Sequence, residues 1–304
     1  MRTPSEVVIA GRRLKLSNLE KVFYPACGFT KGQVIDYYVR VSEFLLPHLR
    51  GRPLTLKRYP DGVEGPFFYE KRCPTHRPDW VRTSAVWSEG KGAEIDFCLA
   101  DDLPTLVWVA NLADLELHTS LSLAKSIGQP TMIAFDLDPG PPAGLSECCQ
   151  VAVLLRELLD KLRLRSFPKT SGSKGLQIYV PLNTPASYDE TKALSKALAE
   201  LLEQQHPQLV VSNMKKSLRV GKVLVDWSQN DEHKTTVCVY SLRAKDRPTA
   251  SAPVTWKEIE KGIKPAGALA LVFESDQVLK RTAKSGDLFG PVLELKQRLP
   301  TQRP

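Results

Sequence analysis

An α+β protein (mixed α/β), with strands and helices interleaved along the whole chain, is predicted by three observations. Short apolar runs at period 2, such as EVVIA, TMIAFDLD and KVLVD, alternate with runs at period 3.6 such as LSECCQVAVLLRELLDKLRL. Two helix openings carry capping boxes, Ser187 with Glu190 and Thr255 with Glu258. Acids close two of the strand-like runs, Asp136 and Asp138 in FDLDPG and Asp226 in VLVDWSQN.

Length and charge bound what such a frame can do. At 304 residues the chain exceeds an average domain, so one large unit or two closely packed modules are the options. There are 42 Lys+Arg against 34 Asp+Glu, net +8, which favours a polyanionic partner such as nucleic acid over a membrane surface. No run of eighteen apolar residues occurs and MRTPSEVVIAGRR has no apolar signal core, so a soluble, cytoplasmic protein is expected. The six cysteines form no C-x-x-C pattern, and reduced packing thiols are expected.

In chain order, EVVIAGRRLKLSN reads as a hairpin around Gly11. Thr30 can cap a helix whose apolar face is Val34, Tyr37, Tyr38, Val41 and Leu45. Asn18, Lys21 and Lys31 cluster around the turn before it; most lysines are simply solvated, and nothing local marks these as different. A strand from Leu54 to Tyr59, a Pro-Asp-Gly turn and a strand through Phe67, Phe68 and Tyr69 come next. Aromatics interleaved with Lys57, Arg58, Lys71 and Arg72 suit a base-stacking platform beside a phosphate track, though a core hairpin with a charged outer face has the same composition. Three adjacent aromatics cannot all face inward on one strand. Strands around Val86 and from Glu94 to Leu99 precede a short helix capped by Asp101 or Asp102, and a strand through Leu115, Glu116 and Leu117 ends at His118.

The acidic strand, residues 131–140, follows. Asp136 and Asp138 are two apart, so both carboxylates leave one face at its C-terminal end, where Pro139 and Gly140 stop it. Like charges this close are stable only with a cation between them, and hard divalent ions such as Mg²⁺ or Mn²⁺ take such oxygens. Asp226 is the candidate third ligand. An acidic turn in which Asp138 merely caps the next segment explains a bare D-x-D as well. Beyond the long helix, SGSKG (171–175) offers backbone N–H groups, the Ser171 and Ser173 hydroxyls and Lys174 to a phosphate, without being a Walker A loop, and feeds the strand Leu176 to Val180. After the helix opened by Ser187, Lys215, Lys216, Arg219 and Lys222 precede Asp226, and Asn230, Lys234 and Arg243 follow it. Short helices opened by Thr255 end the chain. Acids at strand ends beside basic and aromatic surface describe a two-metal phosphoryl-transfer site.

The blocks LSNLEKVFYP, FTKG, GRPLTLKRYPDGVEG, FFYEK, LELH, FDLDPG, TSGSKGLQIYVPL and VDWSQN, then KT and YSLRA, occur in order along nearly the whole chain. By them the chain resembles the polymerase domain of bacterial ligase D, a branch of the archaeo-eukaryotic primase superfamily. The resemblance implies a primase-polymerase fold over residues 1–304, with an N-terminal module of about 1–110 and a catalytic module of about 111–304 whose central mixed or antiparallel sheet carries the acids. It implies template-directed, ribonucleotide-preferring nucleotide addition to gaps and ends in non-homologous end joining, with two Mn²⁺ or Mg²⁺ ions, NTP or dNTP, 5′-phosphorylated DNA, Ku and a ligase. Carried over by motif, Asp136, Asp138 and Asp226 hold the metals; His118, Ser171, Lys174, Gln177, Lys234 and Arg243 serve the nucleotide. Asn18, Lys21 and Lys31 grip the 5′-phosphate, Phe68 and Tyr69 stack on the template, and Lys57 and Lys71 hold its backbone. Gln177 stands where many members have a histidine, so the cationic option of that position is lost. De novo priming, an idle DNA-end-binding module and a two-metal nuclease are the competing functions.

Overall fold

The structure is a computed structural model that describes residues 5–88 and 92–300. It separates into two compact units that are not contiguous in sequence: Met1–Ser120 with Val237–Ser251 and Glu274–Asp287, and Leu121–Thr236 with Ala252–Phe273 and Leu288–Pro304.

The first unit opens with the expected hairpin, β1 (Ser5–Ile9) on β2 (Arg12–Leu16), turned through Ala10 and Gly11 at positive φ. β3 (Val22–Tyr24) and β4 (Phe29–Thr30) lead into α1 (Lys31–Leu49). Thr30 completes a capping box with Gln33, and Val34, Tyr37, Tyr38, Val41 and Leu45 form the buried face as their spacing predicts. β5 (Leu54–Arg58) pairs antiparallel with β6 (Phe68–Glu70). β7 (Thr83–Ser88) and β8 (Ala93–Cys98) follow, then α2 (Leu103–Asn111) capped by Asp102, and β9 (Asp114–Thr119), which lies antiparallel on β5. Asp101 does not cap; it accepts from Gly51 N at 2.6 Å and Arg82 at 2.7 Å.

The cysteines require a correction. Cys73 and Cys98 are disulfide-bonded, with Cα atoms 4.9 Å apart across a separation of 25 residues. Cys73 N donates to the Asp96 carbonyl, which lays the segment after β6 beside β8 and brings the two side chains together. Spacing carries no trace of that contact. The other four cysteines, Cys27, Cys148, Cys149 and Cys238, form no disulfide.

The second unit is built on a five-stranded sheet. In chain order its elements are β10 (Met132–Pro139), α3 (Leu145–Lys161), β11 (Phe167–Thr170), β12 (Leu176–Pro181), α4 (Tyr188–Gln205), β13 (Val210–Val211), β14 (Val223–Asp226), α5 (Trp256–Gly262) and α6 (Pro265–Leu269). Across the sheet the order is β11-β12-β10-β14-β13, antiparallel except for the parallel pair β13–β14, so the expected mixed sheet is present. Ile133, Phe135 and Leu137 on the central β10 are fully buried, each such side chain contributing about 1.5–3 kcal/mol. Strand alternation then sends Asp136 and Asp138 to the opposite face. α3 packs on β10, β12 and β14, and α4 on β10 and β13. Later in the chain, α7 (Ser275–Ser285) packs on α1 in the first unit, and α8 (Pro291–Glu294) packs on β12 in the second.

Candidate active site

In the second unit the ladder places Asp136 directly opposite Asp226 on β14, and opposite Gln177 on β12; Gln177 in turn faces Lys169 on β11. One transverse row of four strands thus reads Lys169, Gln177, Asp136, Asp226. Directly opposed residues have Cβ atoms about 4.5–5.5 Å apart, and Asp138, two residues along, shares the face. The three acids predicted from sequence are therefore neighbours.

Their side chains have distinct partners. Asp138 pairs with Lys174 at 3.0 Å and Arg219 at 3.5 Å. Asp226 accepts from Ser228 N at 2.9 Å, Ser228 Oγ at 2.6 Å and Gln229 Nε2 at 2.8 Å, so it also caps the turn after β14. Lys234 Nζ reaches this group indirectly, donating to Ser228 Oγ at 2.5 Å. Burial pushes the Asp136 carboxyl up to about 6, with Asp226 and Asp138 adding to the shift and a hydrogen bond from Gln177 opposing it. Gln177 also accepts from the buried Lys169, so it joins that cation to the acidic pair. Nothing local in the sequence singles out Lys169; its place two residues before Ser171, in register with Gln177, is the available signal.

Among the described residues no three His, Cys, Asp or Glu side chains form a metal-ligand cluster as they stand. The donor set nonetheless fits a hard divalent ion: three carboxylates on adjacent strands, one of them held above its ordinary range by burial and by its acidic neighbours.

The 171–175 loop lies along the same strands. Ser171 Oγ accepts from Ser173 N at 3.2 Å and Gly175 N at 3.1 Å, closing a turn that carries Lys174 to Asp138. Gly175 is required by close approach, since a Cβ there would stand 2.1 Å from the Leu137 carbonyl oxygen; at Gly140 one would stand 1.9 Å from that of Arg219. Both strand ends beside the acids therefore admit no side chain.

His118 and Arg243 belong to the first unit and share a partner that the sequence does not advertise. Glu116, 2% exposed, lies 3.0 Å from His118 Nε2, 3.2 Å from Arg243 Nε and 3.2 Å from Lys57 Nζ, and accepts from Ala244 N at 3.1 Å. Burial alone would raise its carboxyl; the His118 hydrogen bond, Arg243 and Lys57 overcome that and hold it well below the usual range. Burial lowers His118 despite Glu116. The two-residue spacing of Glu116 and His118 in LELH places them on one face and could have revealed the pair.

Lys57, expected on a DNA backbone, is ion-paired to Glu116. Its side chain is turned inward, with Nζ 4.5 Å from the centre of the Phe67 ring and 5.6 Å from that of Tyr69. Phe67, Phe68 and Tyr69 are 51%, 44% and 57% exposed, so all three adjacent aromatics keep a surface available for stacking, and Lys71 beside them is exposed. Asn18, Lys21 and Lys31 are brought together by backbone bonds, Lys21 N to Asn18 O at 3.0 Å and Lys31 N to Lys21 O at 2.8 Å. Lys21 is ion-paired to Asp61 at 2.7 Å. Lys31 is buried and donates to the Ser17 carbonyl at 2.7 Å; burial, then Lys21 and Arg58, lowers it to about 8.

The family model described as "LigD, primase-polymerase domain" matches residues 30–289. The multifunctional non-homologous end joining protein LigD of Mycolicibacterium smegmatis is 41% identical over 282 residues, covering 92% of this chain and 36% of that protein. The bifunctional LigD of Bacillus subtilis is 34% identical over 278 residues, covering 91% and 44%. The chain thus spans well under half the length of these relatives. Among solved structures, the polymerase domain of Mycobacterium tuberculosis ligase D in complex with DNA is 39% identical, with a TM-score of 0.86 over 94% of this chain and 99% of that one.

Proposed function

The chain belongs to the LigD primase-polymerase family, and from that premise we propose that it is a template-directed nucleotidyltransferase, preferring ribonucleotides, that fills gaps and extends ends in non-homologous end joining. The observation that carries this reading is the transverse row that sets Asp136 against Asp226, with Asp138 and the 171–175 loop alongside. Asp136, Asp138 and Asp226 would hold two Mn²⁺ or Mg²⁺ ions. When bound, these supply charge neutralisation of the phosphates and of the attacking and leaving oxygens. The chain's own contribution is positional. Ser171, Lys174 and Lys234 offer hydroxyl and cationic donors to a triphosphate, Glu116 holds His118 and Arg243 in fixed orientations, and Phe68 and Tyr69 present rings to an unpaired template base. The proposed partners are gapped or broken 5′-phosphorylated DNA, with Ku and a ligase on other chains or domains, in the cytoplasm; no helix among the described residues is long and apolar enough to cross a membrane.

Single-nucleotide incorporation on a gapped duplex with Mn²⁺ tests the reading. Asp138→Ala is expected to abolish it while thermal unfolding stays cooperative. An unchanged rate removes the assignment, and tight DNA binding by a wild-type chain that never incorporates would make it an end-binding module. Omitting the primer separates priming from extension.

The 5′-phosphate site has its own test. Lys21→Ala is expected to lower affinity for a 5′-phosphorylated gap roughly tenfold more than for the unphosphorylated one, equivalent to about 1.4 kcal/mol. Because Lys31 is charged only below about 8, the preference for the phosphate should also fade as pH rises through that value. Equal losses on both DNAs, or a preference flat in pH, would make these lysines generic surface charge.

A further inference from the structure

The second unit contains a cavity of about 340 Å³ at the start of β11, lined by residues that the acidic row does not use. Two guanidinium groups stand at it, each stacked on a ring. Arg156 lies 5.0 Å from the centre of the Trp256 ring, and Arg165 lies 5.7 Å from that of Phe167. The walls are braced from behind. Trp256 Nε1 donates to the Ser166 carbonyl at 2.9 Å, and the Gln297 amide bonds both the N–H and the carbonyl of Arg165, at 2.8 and 3.0 Å. Ser166, 7% exposed, also lines the cavity, and its hydroxyl has no hydrogen-bond partner among the described residues. A buried polar group without a partner carries a desolvation cost that a ligand donor or acceptor would relieve.

The two arginines are not equivalent. Arg156 is shared with Glu260 at 3.0 Å and Asp160 at 3.5 Å, so its charge is largely answered within the protein. Arg165 is exposed and has no acidic partner among the described residues. An unanswered guanidinium beside stacked aromatic surface recognises a group that is flat and conjugated at one end and anionic at the other. The volume lies at the small end of the roughly 300–1,000 Å³ typical of ligand cavities, which suits one such group and not a duplex.

We propose that this cavity binds a single nucleotide unit, a base with its phosphate, at a site separate from the acidic row. β11 joins the two places: Phe167 begins it, Thr170 ends it, and Ser171 opens the phosphate loop, four residues or roughly 13 Å further on. The unit comes either from a free mononucleotide or from a single strand passing over the sheet edge. Such binding does not require polymerase activity.

The test is calorimetric titration of the intact chain with AMP in EDTA. Saturable binding is expected, with adenosine and ribose 5-phosphate each much weaker. Arg165→Ala and Trp256→Phe should weaken AMP about tenfold and severalfold respectively, while Asp138→Ala and Lys174→Ala leave it unchanged. Arg165 is exposed, so its replacement keeps the fold, as an unchanged melting temperature would confirm. Displacement of AMP by a short single-stranded DNA assigns the site to a strand; failure to displace assigns it to the free nucleotide. Absence of binding at millimolar AMP, equal binding by Arg165→Ala, or loss of binding in Lys174→Ala overturns the proposal.

Discussion

Asp136→Asn is expected to lower single-nucleotide incorporation by about 10³-fold or more and, in EDTA, to raise the melting temperature of the chain. Both effects follow from one position. With its carboxyl pushed to about 6 by burial and by Asp226, Asp136 is ionised at neutral pH only against the preference of its surroundings. A carboxylate whose folded value lies above its unfolded value near 3.9 takes up protons on folding, so stability falls as pH rises from about 4 to about 6 and stays reduced above it. For a half-buried group the cost is roughly 1–3 kcal/mol. An asparagine side chain at this position would avoid the cost and keep a hydrogen-bonding partner for Gln177, but would lose the anionic oxygen a metal requires. Wild-type activity should correspondingly fall as pH drops below about 6, and Mn²⁺ binding should release a proton there. A variant that melts lower in EDTA, or that retains incorporation, would show that the row is an ordinary structural network.

The parts of this site that sequence disclosed are those with local grammar. Asp136 and Asp138 are legible because strand alternation is strict, and Asp226 because it ends a β-branched run in the same way. Capping boxes at Ser187 and Thr255 are four-residue patterns and both form, and Thr30 caps α1 as expected. The exposed Phe68 and Tyr69 follow from the impossibility of burying three adjacent aromatics on one strand.

What sequence withheld depends on partners far apart in the chain. Nothing in the sequence marks Lys169 until β12 is laid beside it in register, when it proves fully buried against Gln177. Lys57 reads as a surface cation until Glu116 is found opposite it on β9. The Cys73–Cys98 bond and the return of residues Val237–Ser251 to the first unit likewise rest on long-range contacts, such as Cys238 N donating to the Leu117 carbonyl at 2.8 Å. Register, which no short window contains, is what decides these cases.

Glu116→Ala is expected to destabilise the first unit by about 3–5 kcal/mol, because it leaves Lys57 and Arg243 facing one another in a buried site with no anion between them. The pH dependence has the opposite sign to that of Asp136. A carboxyl held below its unfolded value, near 4.5, contributes stability that is fully present above about pH 5 and lost as pH falls toward the folded value. The wild type should therefore lose stability on acidification more steeply than Glu116→Gln. The glutamine variant also separates position from packing: it retains an acceptor for Ala244 N but no longer draws in Arg243 by charge. If His118 and Arg243 contact the triphosphate, Glu116→Gln raises the KM for NTP more than it lowers kcat, whereas a purely structural Glu116 would leave KM unmoved in the molecules that remain folded. Wild-type melting in Glu116→Ala would mean that the two cations, Lys57 and Arg243, find other partners, and Glu116 would lose its place as the organiser of the cluster.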